Sequence, residues 1–468
     1  MNKRSSSEQS LSRRRFVKTV GGATVAAVGM GLLPLPFKKM MGPIGISEAY
    51  AQTANPDPDL YFAGTDGWIS LPPSPSLTSP ALGLVHPDVL APAPPDGAPG
   101  LTTYIFGFRN VTGLTDAQRS NQKNKAQHNA PMFWVDQFNP AAPKDFRMQL
   151  TNLGLALRPD LFDAHTIHWH GFRNVITFFD GEPTGSVAVT TGRTFQYIYR
   201  PRDPGTYMFH CHVEDVEHVQ MGMTGPVFVR PLQNGTNFAG FTKFAYNDGD
   251  GSTGYQREFA MFCSEVWCDS HWADAHIQLP EWSDYKADFS LLNGRVYPDT
   301  LAPNSPLNYQ ATPAGAALLH AMPVLTDANG ELLATPGYKH LQHQPLSALV
   351  TCNAGERVLL RFANLGFRES AMTLAGFKMK VVGKDATPMK GRDGTDTSYE
   401  ASTVSFGAGE SIDAIFTAPA YVGPGAYDTY VLYDRAYERS NNLAYGGRQT
   451  EIRVYPVGTL PAQLLPNT

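Results

Sequence analysis

Short apolar runs broken by turn residues dominate this chain, and each run reads as a strand rather than a helix. Phe195-Gln196-Tyr197-Ile198-Tyr199, Pro226-Val227-Phe228-Val229 and Val358-Leu359-Leu360-Arg361-Phe362 are four to five residues long and rich in β-branched and aromatic side chains. Two turn clusters, Gln233-Asn234-Gly235-Thr236 and Asn247-Asp248-Gly249-Asp250-Gly251, flank a polar connection, after which a second strand series opens at Arg257-Glu258-Phe259-Ala260-Met261-Phe262. The pattern predicts an all-β protein of two sandwich domains, one over residues 52–235 and one over 250–468. The Pro-rich stretch from Ala54 to about Gly100 is weakly patterned and is expected to be an irregular wrap over the first domain or an insertion.

Composition agrees with this reading, since Gly and Pro make up 80 of 468 residues and charged residues only 17%. Residues 1–51 form a separate segment. Ser12-Arg13-Arg14-Arg15-Phe16-Val17-Lys18 is a twin-arginine pattern, followed by a Gly/Ala-rich apolar run and Ala49-Tyr50-Ala51 as a cleavage site. The expectation is a periplasmic or otherwise exported protein, with no stable membrane insertion after cleavage. The whole chain carries −5, and removing this segment of net +6 leaves −11. Such a charge disfavours nucleic acid and anionic lipid and suits a cationic partner. In an oxidising compartment Cys263, Cys268 and Cys352 are expected to form one disulfide, with Cys352 joined to Cys263 or to Cys268, and one buried thiol.

Candidate chemistry is concentrated between His165 and Met223, where six of the thirteen histidines and one of the four cysteines fall within 59 residues. Cys211, His218 and Met223 with a further histidine, His165, offer the thiolate, two imidazoles and weak thioether of a blue-copper site. Zinc also accepts Cys and His, but the single thiolate and the axial Met favour copper. In an extended chain His168 and His170 share one face, and so do His210 and His212, with Cys211 on the opposite side. Sulfur and histidines would then serve two metal centres on the two sides of one strand.

These residues resemble the multicopper oxidase family of laccase-like cupredoxin proteins. The resemblance rests on His165-Thr166-Ile167-His168-Trp169-His170-Gly171 and on His210-Cys211-His212 followed by His218 and Met223. It implies two cupredoxin-like Greek-key sandwiches. It also implies type 1 copper on His165, Cys211, His218 and Met223, and type 2 or type 3 ligands at His168, His170, His210 and His212. The connection Val213-Glu214-Asp215-Val216-Glu217 is two residues longer than the usual laccase loop, as also occurs in copper nitrite reductases, two-domain relatives built as trimers. Homo-oligomers, trimers foremost, are therefore expected.

The second domain departs from the family. Arg368-Glu369-Ser370-Ala371-Met372-Thr373-Leu374 stands where the first histidine motif is expected, and the strand from Gly425 to Arg435 stands where His-Cys-His is expected; neither carries a histidine, and His340 with His343 is the best remaining pair. The expected activity is oxidation of a small reductant or redox protein at type 1 copper, with electrons passed to a second copper centre that reduces oxygen. A nitrite-reducing enzyme with one type 2 copper and a blue-copper electron carrier are the alternatives. Glu214, Asp215 and Glu217 beside His218 would favour a cationic reductant.

Overall fold

The computed structural model describes residues 57–72, 90–173, 175–308, 312–317, 319–436 and 447–468. The segment expected to direct export, residues 73–89 of the Pro-rich stretch and with them His86 lie outside the described residues. Among the described residues no helix is long and apolar enough to cross a membrane.

The first sandwich packs two sheets face to face. One has the order β2-β1-β4-β6, from β1 (Leu60–Leu71), β2 (Leu101–Asn110), β4 (Phe146–Gly154) and β6 (Thr194–Tyr199). The other has the order β3-β8-β7-β5, from β3 (Phe133–Asp136), β5 (His168–His170), β7 (Gly205–His210) and β8 (Thr224–Arg230). β4 shows how the sequence selects its face. Phe146, Met148 and Leu150 alternate with half-buried Arg147, Gln149 and Thr151, so one side enters the core and the other meets solvent. Phe62, Phe133, Trp169 and Phe209 meet at the centre, with Phe133 and Phe209 ring centroids 5.0 Å apart. Each such side chain contributes about 2 kcal/mol by leaving water.

β1 corrects the expectation of an irregular segment after Ala54. It is a 12-residue strand, antiparallel to β2 and parallel to β4. Nearly all its residues are buried, so it lacks the alternation by which a half-exposed strand is recognised.

The second sandwich repeats the plan. Its larger sheet runs β10-β9-β12-β18-β14-β15, with β16 beside β14. These strands are β9 (Arg257–Val266), β10 (Phe289–Leu292), β12 (Arg357–Asn364), β14 (Met379–Lys384), β15 (Thr387–Pro388), β16 (Tyr399–Ala401) and β18 (Ser411–Thr417). Its other sheet runs β11-β20-β19-β13-β17, from β11 (Val350–Asn353), β13 (Ser370–Leu374), β17 (Thr403–Phe406), β19 (Asp428–Asp434) and β20 (Gln449–Tyr455). The core between them holds Phe259, Leu360, Phe362, Val381, Phe416 and Ile452.

The two sandwiches press together and form one compact unit from Pro58 onward. β7 is buried on both faces for this reason. Tyr207 and Phe209 enter the first core, whereas Met208 packs on Phe262, Ala363 and Leu365 of the second sandwich. Ions are buried here too: Arg361 lies 3.1 Å from Glu258 and 3.4 Å from Asp413, and Arg230 lies 2.7 Å from Glu258. Thr206 Oγ1 donates to Asp413 at 2.5 Å, so every charge has a partner.

No disulfide joins the second-sandwich cysteines, contrary to expectation. All four cysteines are free and buried. Cys263 and Cys352 fill the second core and Cys268 a neighbouring cluster, where a thiol acts as a small apolar group.

Candidate metal centre

The inward and outward faces of β5 and β7 divide the motif residues between two sites. Trp169, Phe209 and, just past the strand, Cys211 point into the first core, while His168, His170 and His210 lie on the opposite face. β5 and β7 are antiparallel with His168 opposite His210, which brings the two histidine motifs together.

In the inner site, ligand atoms of His165, Cys211 and His218 all lie within 4.8 Å of one another, and all three residues are buried. His218 Nδ1 is 3.1 Å from Cys211 Sγ. Room for the His165 ring comes from Gly64 of β1, where a Cβ would lie 2.7 Å from His165 Cδ2 and 3.5 Å from Met223 Cε. Met223 therefore points to the same spot, and its carbonyl accepts from the Cys211 N–H at 3.0 Å. Met221 is buried in the same core, but the methionine beside Gly64 and the His165 ring is Met223.

The residues between His212 and His218 are not merely a longer loop. They lead into a short helix, α1 (Asp215–Met221), that starts after Glu214 at φ 46° and ends on Gly222 at φ 112°. A side chain on Gly222 would also strike His128, whose Cδ2 lies 2.4 Å from the Cβ position. This turn delivers His218 and Met223 to the same side as Cys211.

The donor set fits a thiophilic metal. Both ring nitrogens of His165 are buried without a hydrogen-bond partner, a costly state that a bound cation would relieve. Burial pushes the Cys211 thiol up, but His218 and His165 beside it outweigh that and hold it well below the ordinary thiol range. The sulfur thus favours the thiolate, the form that binds metal. Thr166 N–H also donates to Sγ at 3.4 Å. Burial opposes a charge on His218, yet Cys211 and Asp163 raise it to about 10. Asp163 Oδ2 stands 3.7 Å from His218 Nε2, orienting the ring so that Nδ1 faces the sulfur.

The outer site gathers His168, His170 and His210, whose ligand atoms also lie within 4.8 Å of one another. His212 is adjacent, its ring centroid 4.9 Å from that of His168. His168 Nδ1 lies 2.8 Å from the Asp180 carbonyl and His210 Nδ1 2.8 Å from the Cys211 carbonyl. Those bonds fix the tautomers that leave each Nε2 as a lone-pair donor. Burial, followed by the neighbouring imidazoles, lowers His170, and burial is the main cause that takes His210 down to about 3. The rings are therefore neutral and able to bind a cation at neutral pH.

The second sandwich reaches this outer face with backbone rather than imidazole. A Cβ on Gly409 would lie 2.7 Å from His170 Nε2, and Arg173 Nη2 donates to the Asp385 carbonyl at 3.3 Å. Among the described residues His340 and His343 join no group of metal donors. His340 lies 3.4 Å from Asp299, and His343 is half-buried near Arg109 and Lys125.

The acidic cluster beside His218 also differs from a simple charged loop. Glu214 and Asp215 are exposed, but Glu217 is half-buried against Asp274 of helix α2 (Cys268–Ala275). Burial first and the Glu217 charge second push the Asp274 carboxyl up to about 8, so the two share negative charge poorly.

Gly64, Asp163, Asp180 and Gly409 escaped the sequence reading, because each acts through a contact distant in the chain. Only the Gly64-Thr65-Asp66-Gly67 run in an otherwise apolar strand hinted that a backbone there is closely approached.

Comparison with known proteins agrees with this geometry. Residues 149–234 match the family model described as multicopper oxidase. Among solved structures the chain is similar to the blue copper oxidase of Nitrosomonas europaea. Identity is 19%, over 84% of this chain and 85% of that one, with a TM-score of 0.51. It is also similar to the multicopper oxidase mgLAC, at 20% identity over 86% of this chain and 87% of that one, with a TM-score of 0.51. At such identities these structures establish the cupredoxin-like fold. A sequence search of curated proteins returned no match. Residues 149–234 thus match a multicopper oxidase domain, and copper is the metal that such a domain implies for the His and Cys donor sets found there.

Proposed function

We propose that this is an exported oxidase with two copper centres, a type 1 centre on His165, Cys211, His218 and Met223 and a second centre on His168, His170 and His210, with His212 beside it. The observation that carries the proposal is the sequence His210-Cys211-His212. Cys211 faces the inner donors and its neighbour His210 the outer ones, so the two sites are joined by a few covalent bonds. Copper bound at these sites supplies one-electron redox chemistry.

The chain's own residues set the rest. Asp163 and the Thr166 N–H hold the His218 ring and the Cys211 sulfur in place. The aromatic core excludes water from the sulfur, and the Asp180 and Cys211 carbonyls orient the outer imidazoles. Electrons come from a small reductant or redox protein at the His218 side, where exposed Glu214 and Asp215 attract a cationic donor. Oxygen is the acceptor in this reading. Export rests on the twin-arginine segment alone, and assembly as a homo-oligomer, a trimer foremost, rests on the family resemblance.

A second reading has one observation of its own. Within this chain the outer face offers three clustered histidines and meets the Gly409 backbone, a setting for one type 2 copper that reduces nitrite. Oxygen uptake and nitrite consumption with the same reduced donor separate the readings. A copper-loaded protein that turns over neither is an electron carrier.

A further inference from the structure

Three hydrogen bonds around the inner site recur in the second sandwich. In the first, Asn152 Oδ1 accepts from the Gly154 N–H at 2.8 Å; in the second, Asn364 Oδ1 accepts from the Gly366 N–H at 2.9 Å. Asn152 is paired in parallel register with Gly64, and Asn364 in parallel register with Cys263. The segment Ser370 to Gly376 then stands for His165 to Gly171, each closing on a glycine of positive φ, 100° and 77°.

The later strands agree with that alignment. Thr166 N–H donates to Cys211 Sγ at 3.4 Å, and Ala371 N–H donates to Asp434 Oδ1 at 3.2 Å. Cys211 N–H donates to the Met223 carbonyl at 3.0 Å, and Asp434 N–H to the Arg448 carbonyl at 2.9 Å. By these bonds His165, Cys211 and Met223 correspond to Ser370, Asp434 and Arg448.

The three second-sandwich residues are bonded to one another. Arg448 Nη1 donates to Ser370 Oγ at 2.6 Å and lies 3.5 Å from Asp434 Oδ2, while Nη2 lies 3.2 Å from Glu265 Oε1 and donates to the Ser264 carbonyl at 2.9 Å. Ser370, Asp434 and Arg448 are fully buried. Volume is exchanged as well: Gly64 leaves room for the large His165 ring, and the corresponding Cys263 stands beside the small Ser370. At two of the three positions a soft donor has an oxygen acceptor as its counterpart, Ser370 for His165 and Asp434 for Cys211, and oxygen acceptors suit a guanidinium as sulfur and imidazole suit a transition metal.

We infer that the second sandwich contains a cation site on the same frame as the copper site of the first, and that its occupant is the guanidinium of Arg448. The site recognises a planar guanidinium cation through Ser370, Asp434 and Glu265. The description of the frame rests on the copper reading of His165, Cys211 and Met223, but the recognition chemistry does not.

Thermal unfolding of full-length Arg448→Ala, with millimolar guanidinium chloride against equal sodium chloride, tests the inference. The variant is expected to unfold several degrees below the parent, and guanidinium to raise its midpoint saturably while leaving the parent unmoved. Asp434→Asn added to Arg448→Ala should abolish that rise. Folded Arg448→Ala that gains nothing from guanidinium overturns the inference.

Should Arg448→Ala fail to fold, the variant Cys263→Gly, Ser370→His, Asp434→Cys, Arg448→Met in a Cys211→Ser background replaces it. This variant is expected to fold and to gain a cobalt(II)–thiolate absorption band on addition of cobalt chloride; its folding without that band overturns the inference. Neither arm reads the first site, so failure of the copper reading leaves both results interpretable.

Discussion

The ring of His165 occupies the space that a side chain on Gly64 would fill, with His165 Cδ2 only 2.7 Å from the Cβ position. β1 therefore acts as a wall of the inner site although it carries no ligand. Gly64→Ala should displace His165, cost about 1–3 kcal/mol of stability through overpacking and weaken the intense blue absorption of a copper–thiolate bond. Visible spectra of the copper-loaded variant check this. An unchanged band would mean that His165 is not a ligand.

Gly409 offers the complementary test at the outer site. Its φ of 80° and its contact with His170 both oppose a side chain. Gly409→Ala should disturb the second copper and lower turnover at least tenfold while the blue band is kept. Paired spectra and turnover measurements distinguish this from general unfolding, which would remove both.

Much of this arrangement was legible in the chain. The two His-x-His pairs and Cys211 announced their opposite faces because strand side chains alternate, and β5 and β7 follow that rule. The strand character of β6, β8 and β12 was equally plain. β1 was missed because a strand buried on both faces shows no alternation, and the short helix α1 because seven residues between Glu214 and Gly222 carry too little periodicity. Cys263 suggested a disulfide only because composition cannot show that its neighbours are Ser370 and Arg448. Gly409 and Asp163 were illegible, since tertiary packing alone brings them to the histidines.

Free cysteines give a direct count. With copper removed by a chelator and the chain unfolded without reductant, four thiols per chain should react with a thiol reagent, because all four cysteines are unpaired. Two fewer would restore the disulfide that the fold rejects.

Stability should fall in acid through Glu258. Burial alone would raise this carboxyl, but Arg230 and Arg361 outweigh it and bring it from 4.5 to about 2. A carboxyl depressed in the folded state stabilises above its unfolded value, so its contribution is complete above about pH 4.5 and is lost as pH falls toward 2. The shift corresponds to about 3 kcal/mol. Glu258→Gln should lower stability at neutral pH and flatten the acid limb of the unfolding curve between those values. An acid limb of undiminished slope would assign acid sensitivity to other groups.

In the proposed function Cys211 carries one copper while the histidines beside it carry another. Copper analysis combined with electron paramagnetic resonance on the parent and on Cys211→Ser tests it most directly. A narrow-hyperfine type 1 signal and an intense blue band are expected in the parent, both lost in Cys211→Ser, which should keep the copper bound by His168, His170 and His210. A parent without the type 1 signal, or a blue band that survives Cys211→Ser, would contradict it.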